Sequence, residues 1–165
     1  MIIDIHELKI DPELILNGEQ LVTLKKINPF RKTQECTVHV DGQAIKNGDK
    51  ITVKGHLTTN VMLACDRCLE EFSVPVEAEL FQVYSLEGEN EDEDILPIFA
   101  HEIDLTGPVT EAIILNVPMN WIHDEDCKGL CEVCGVNLNK SSCSCQKNDI
   151  DPRLEGLMNI FNTQE

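Results

Sequence analysis

Ile51-Thr52-Val53-Lys54-Gly55-His56-Leu57-Thr58-Thr59-Asn60-Val61-Met62-Leu63, followed by Cys65-Asp66-Arg67-Cys68 and then Phe72-Ser73-Val74-Pro75-Val76-Glu77-Ala78-Glu79-Leu80, decides the fold. In the first run the odd positions are mostly apolar and the even ones mostly polar. In the second, Phe72, Val74, Val76, Ala78 and Leu80 alternate with polar neighbours. Period-two alternation places one set of side chains on each face of a strand, so two half-buried strands meet at a turn made of Cys65-Asp66-Arg67-Cys68. Pro75 cannot donate to a ladder and predicts an edge or a bulge. Upstream, Cys36, Val38 and Val40 form a third alternating run closed by Asp41-Gly42, and Asn47-Gly48 marks a tight turn before the long strand. Antiparallel pairing follows.

Downstream, Asp104-Leu105-Thr106-Gly107-Pro108 reads as a helix start, with Pro108 in the first turn. Val109, Ala112, Ile113 and Val117 recur at helical spacing, and Pro118 ends the element. Asp151-Pro152 announces a short C-terminal helix with Leu154, Leu157, Met158 and Phe161 as its apolar stripe. The predicted class is α+β: an antiparallel sheet or partly closed barrel covered by a helix. Residues 1–118 form the strand-rich core, with an acidic loop at 85–97 and the covering helix at 107–117. Residues 119–165 form a cysteine-rich zinc module and the C-terminal helix.

Of the eight cysteines in 165 residues, seven fall into groups with metal-ligand spacing. Cys65 and Cys68 form a C-x2-C unit, and Cys127, Cys131, Cys134, Cys143 and Cys145 form a dense second group. A two-residue gap lets both sulfurs of a tight turn face one ion, which points to zinc. Gly135 lets the turn after Cys134 take the conformation that brings amides towards sulfur. The set Cys131, Cys134, Cys143 and Cys145 makes a closed four-thiolate site. Cys65, Cys68, Cys127 and His123 offer a second site; the alternative is one zinc held by Cys65, Cys68 and two later cysteines. His123, flanked by Asp124, Glu125 and Asp126, also reads as an ordinary surface histidine, and Cys36 as a small buried hydrophobe. His39, His56 and His101 have no sequence neighbour at ligand spacing and receive no role.

Disulfides would need an oxidising compartment. Residues 1–7 show neither a basic n-region nor a continuous apolar segment, and no apolar run reaches the roughly 18 residues that span a bilayer. The expectation is a cytoplasmic protein with reduced thiols and no membrane contact. A hairpin-tip C-x2-C argues against a redox pair of the strand-to-helix kind. A closed thiolate site is structural, and no nucleophile elbow, phosphate-binding glycine loop or H-E-x-x-H occurs, so no catalytic residue is assigned and no enzyme activity is expected.

The net charge is −17, and residues 87–94 carry six acids in eight positions. That run reads as a solvated loop, the alternative being a docking segment for a basic surface, and removing it still leaves an acidic chain. Thiolate sites make the count more negative. Such a surface repels phosphate backbones and favours a basic protein partner. The exception is Lys25-Lys26-Ile27-Asn28-Pro29-Phe30-Arg31-Lys32, basic residues around an aromatic ring, which read first as a solvated loop and second as a place for RNA contact.

The ordered motifs Cys65-Asp66-Arg67-Cys68-Leu69 with Phe72, Ile103-Asp104-Leu105 leading to Glu111-Ala112-Ile113-Ile114-Leu115 and Pro118, Cys127-Lys128-Gly129-Leu130-Cys131-Glu132-Val133-Cys134-Gly135 with Asn137-Leu138-Asn139, and Asp151-Pro152-Arg153-Leu154 resemble the YceD family. These are the bacterial and plastid proteins described as large ribosomal RNA subunit accumulation proteins. The resemblance spans roughly residues 35–161. It implies a cytoplasmic, non-catalytic factor for large-subunit ribosomal RNA and ribosome assembly, linked to a large-subunit ribosomal protein. It supplies no binding residues. Members differ in their cysteines, which makes zinc a structural support of one or two ions. The implied partner is a large-subunit precursor or a basic ribosomal protein, with direct RNA contact left open. The competing classes are a zinc-ribbon adaptor in another process, such as transcription, and a redox or metal-handling protein acting through Cys65 and Cys68.

Overall fold

The computed structural model describes residues 1–28, 31–86, 94–98 and 101–145. In chain order the elements are β1 (Ile2–Asp4), α1 (Ile5–Ile10), β2 (Glu13–Asn28), β3 (Arg31–Asn47), β4 (Lys50–Ala64), β5 (Glu71–Ser85), β6 (Ile95–Pro97), β7 (Glu102–Asp104) and α2 (Thr106–Asn116). Strands β2 to β6 form a five-stranded sheet in sequence order, and β1 pairs with β7 in a two-stranded one. The large sheet is mixed, since β5 and β6 run parallel while the other neighbours are antiparallel. The purely antiparallel expectation is corrected there: a three-residue strand has too little periodicity to declare its direction. Nor is the barrel closed, because β2 and β6 end the strand order among the described residues. The expected C-terminal helix at 151–161 and acids 87–93 lie outside the described residues.

Alternation sets the two faces of the sheet. Val38, Val40, Ala44, Val53, Leu57, Val61, Val76 and Leu80 point to one side and are buried, where Ile5 and Leu8 of α1 and Val109 and Ile113 of α2 join the core. The opposite face stays open to water, as a one-sided antiparallel sheet does. Helix α2 begins where the sequence signals it. The Asp104 carboxylate accepts from the amide and hydroxyl of Thr106, at 2.9 and 2.6 Å. Past β6, strand β5 has a single strand neighbour among the described residues, which suits Pro75.

Two compact units emerge. One comprises residues 1–65 and 70–121, the other residues 66–69 and 122–165. The tip of the β4–β5 hairpin thus belongs to the same unit as the cysteine-rich segment. No helix among the described residues is long and apolar enough to cross a membrane.

Gly42 and Gly55 face each other across β3 and β4. A Cβ at Gly42 would sit on the Lys54 carbonyl oxygen and 2.6 Å from the Gly55 Cα, so the backbones approach more closely than any side chain allows. Gly42→Ala is expected to lower stability by about 1–3 kcal/mol, the usual cost of overpacking a fixed site. Thermal or denaturant unfolding checks this, and an unchanged midpoint would mean that the two strands separate at no cost.

Candidate metal centre

The two C-x2-C units fold into matching turns. The Cys65 amide donates to the Glu70 carbonyl and the Cys131 amide to the Val136 carbonyl, each at 2.8 Å and each five residues ahead. In both, the residue after the second cysteine is left-handed: Gly135 at φ 71° and Leu69 at φ 63°. Glycine takes that region freely, whereas a leucine is strained there. The sequence pointed to Gly135 and missed Leu69, because a leucine carries no signal for positive φ.

These turns bring the ligand atoms together in two groups. Cys65, Cys68, His123 and Cys127 form one, and Cys131, Cys134, Cys143 and Cys145 the other; within each, the ligand atoms lie within 4.8 Å of one another. No cysteine is in a disulfide. Zinc at about 2.3 Å from each sulfur needs tetrahedral S···S separations of about 3.8 Å, so a small contraction would complete either site. Both donor sets therefore fit a zinc ion, and both would be coordinatively closed.

Local hydrogen bonds explain how the first group assembles. The Arg67 guanidinium donates to the carbonyls of Glu125 and Cys127, at 3.0 and 3.2 Å, and the Leu130 amide donates to the Arg67 carbonyl at 2.9 Å. Gly129 lies against that carbonyl: an added Cβ would come within 3.0 Å of its oxygen. The Cys127 amide donates to Asp124 at 3.0 Å, closing the turn that follows His123. The His123 Nδ1 then lies 3.5 Å from the Cys68 sulfur. Asn139 braces the other side, its side-chain amide donating to the Cys127 sulfur at 3.3 Å and its oxygen accepting from Lys128 at 2.8 Å. Neither Arg67 nor Asn139 was assigned a supporting role from sequence, although both stand in the motifs that carry the family resemblance. Outer bonds of this kind orient metal ligands and tune sulfur basicity.

In the second group the thiols compete for one charge. Cys131 is lowered to about 6, because the amides of Cys134 and Val133 and the Cys143 thiol donate to its sulfur. Cys145 is pushed up to about 12 by its hydrogen bond with Cys134, then by burial and the neighbouring thiols. Cys143 is also raised: the Cys145 amide pulls it down, but hydrogen bonding to Cys131 and burial outweigh that pull. One thiolate is tolerated and further ionisation is resisted, the condition that a divalent cation relieves. Metal entry would displace protons, so affinity falls as pH drops.

The groups differ in exposure. Cys65, Cys68 and Cys127 are buried, whereas Cys134 and Cys143 are exposed. Cys36 is buried within β3, apart from both groups, and burial raises its thiol. His39 and His56 do find partners, which sequence spacing could not show: the Nδ1 of His39 lies 3.4 Å from Glu19, and that of His56 lies 3.1 Å from Glu79, each on an adjacent strand. The His101 ring lies near that of His6, tilted by 44°, with centroids 5.5 Å apart.

The zinc-loaded protein is expected to hold about two equivalents through mainly sulfur ligands. Cys131→Ser and Cys68→Ser are each expected to remove about one, and a chelator is expected to strip the exposed group before the buried one. Elemental analysis and X-ray absorption measure content and ligands. Metal-free protein with both loops fully ordered would overturn the reading. Gly135→Ala is expected to cost the loop about 1–2 kcal/mol through its left-handed backbone, read as faster zinc loss.

Residues 53–161 match the family model "Large ribosomal RNA subunit accumulation protein YceD". The chain is 30% identical over 154 residues to "Large ribosomal RNA subunit accumulation protein YCED homolog 1, chloroplastic" of Arabidopsis thaliana, covering 74% of this chain and 48% of the relative. It is 28% identical over 163 residues to the uncharacterized protein YlbN of Bacillus subtilis, covering 95% of this chain and 94% of that one. An uncharacterized protein of Mycobacterium tuberculosis is 26% identical over 133 residues, covering 78% of this chain and 64% of the relative. The chain thus spans about half the length of the chloroplast relative and nearly all of YlbN. No solved structure matches. With the family model covering well over half of its residues, the chain belongs to the YceD family, named for accumulation of large-subunit ribosomal RNA.

Proposed function

We propose that this chain is a cytoplasmic, non-catalytic factor that supports accumulation of large-subunit ribosomal RNA by holding a basic ribosomal protein, or a basic face of the subunit precursor, during assembly. Zinc at the two cysteine groups keeps the loops in shape and takes no part in chemistry, as closed sites do. The family membership supports the process. The observation that supports the mechanism is the open face of the sheet.

Register aligns two rows of side chains across that face. One runs Asn17, Asp41, His56, Glu79, and the next Glu19, His39, Thr58, Glu77. Glu19, Asp41, Glu77 and Glu79 are all exposed, and the two histidines lie among them. The face carries these four carboxylates beside exposed Lys54 and Phe81, on a chain of net charge −17. It repels a phosphate backbone and attracts lysine- and arginine-rich protein surface, steering encounter more than fixing affinity.

Depletion is expected to lower the ratio of large to small subunits and the level of large-subunit ribosomal RNA, read by gradient sedimentation. Binding to precursor particles is expected to weaken as salt rises, since exposed charges are screened over about 10 Å at 0.1 M. It is also expected to survive nuclease digestion of exposed RNA. Unchanged subunit ratios, with polymerase rather than ribosomal particles copurifying, would replace this reading with that of a zinc adaptor for transcription. Loss of binding on nuclease treatment would make RNA the partner.

A further inference from the structure

We propose that a half-open apolar slot beside β1, β6 and β7 binds one basic side chain, lysine or arginine, of a protein partner. The inference rests on the basic-partner reading above and gives it an anchoring point away from the open sheet face. The slot has a volume of about 390 Å³. Its walls are Ile2, Leu96, Pro97 and Ile103, and its rim carries the carboxylates Glu102 and Asp104. Tyr84 completes the lining and is only 4% exposed.

The Tyr84 hydroxyl is buried and has no hydrogen-bond partner among the described residues. A buried hydroxyl left unpaired is destabilising, so a ligand that reaches it recovers that loss. Burial, then the charge of Asp104, raises this phenol to about 12, so it stays protonated and keeps an oxygen lone pair to offer. Asp104 is held ionised by the Thr106 hydroxyl and amide. The Met1 amino group shares the field of Asp104, whereas Glu102 is exposed and has no ion pair among the described residues.

These features select the ligand. An anion would meet two carboxylates at the rim. A purely apolar group would fill the walls yet leave the hydroxyl unpaired. A cation on a long aliphatic stem satisfies all three: its methylenes lie along Leu96 and Pro97, and its head donates to the Tyr84 oxygen and to Glu102. Lysine and arginine bury their stems in this manner while keeping the charged head near polar groups.

Tyr84 is the single tyrosine of the chain, so incorporating 3-fluorotyrosine into the zinc-loaded protein gives one ¹⁹F resonance at the floor of the slot. Titration with octalysine and octaarginine is expected to shift this line saturably, and the two peptides rank lysine against arginine; octaglutamate is expected to leave it unmoved. Glu102→Lys is expected to weaken basic-peptide binding about tenfold by turning attraction into repulsion. The neutral Glu102→Gln is expected to weaken it about threefold. Calorimetry run in parallel measures total binding. Basic peptides that bind by calorimetry without moving the line, or with affinity untouched by both variants, would place them on the open sheet face and overturn the slot, while leaving the assembly reading intact. Absence of any binding also overturns the slot. The assembly reading falls separately, on unchanged subunit ratios after depletion.

Discussion

The β4–β5 ladder runs from Lys50 opposite Ser85 to Ala64 opposite Glu71 without a shift in register, and both the core and the first ligand pair depend on that continuity. With a period of two, a slip of one residue would turn every inward side chain outward. Here Leu57 faces Ala78 and Val61 faces Val74 on the buried side. Cys65 therefore follows directly on the last paired residue. Its amide closes the tip against Glu70, and Asp66 to Leu69 join the unit that contains residues 122–145.

What was legible in the sequence was local, though not every local signal held: Asp41-Gly42, read as the close of the third strand, lies inside β3 and is paired there with His56 and Gly55. Strands β4 and β5 declared themselves by alternation, the tip by its C-x2-C, and α2 by Asp104, Pro108 and Pro118. Strand β2 did not. Its inward positions include Leu14, Leu16, Val22 and Leu24, but Gly18 and Gln20 interrupt them, and Gln20 sits in the core because its amide donates to the Thr106 hydroxyl, 86 residues away. A buried polar residue whose amide donates to a distant partner, though its Oε1 accepts from none among the described residues, breaks the pattern on which strand reading rests. Helix α1, six residues capped by Asp4, is too short to show a period. The parallel β6 is held to β5 by pairing that no local signal encodes.

The metal groups divide along the same line. Spacing alone brings Cys131 and Cys134 together and lets Cys143 and Cys145 return to them. That Cys127 and His123 lie with Cys65 and Cys68 depends on Arg67, whose guanidinium reaches carbonyls 58 and 60 residues away. Likewise, the partners of His39 and His56 follow from strand register, which spacing within one strand does not contain. The acidic character is different again: it is plain in composition, yet only the sheet turns it into ordered rows on one face.

Loop closure separates the two groups energetically. The Cys68–His123 contact spans 55 residues, roughly four times the separation of Cys131 and Cys145, and each doubling of a flexible loop adds about 0.6 kcal/mol to its closure. The direct difference is therefore small, near 1 kcal/mol. The larger difference lies in prerequisites. The cluster at residues 131–145 needs only its own turns, so a metal held there is linked to the order of one loop. The cluster of Cys65, Cys68, His123 and Cys127 needs the β4–β5 hairpin in register first, so a metal held there stabilises the hairpin along with the loop. Burial points the same way, with three of the long-range ligands covered and the local cluster open at Cys134 and Cys143. Two similar turns in one chain would thus hold ions with different consequences, one tied to the fold and the other to a surface loop that can exchange its metal while the sheet stays intact.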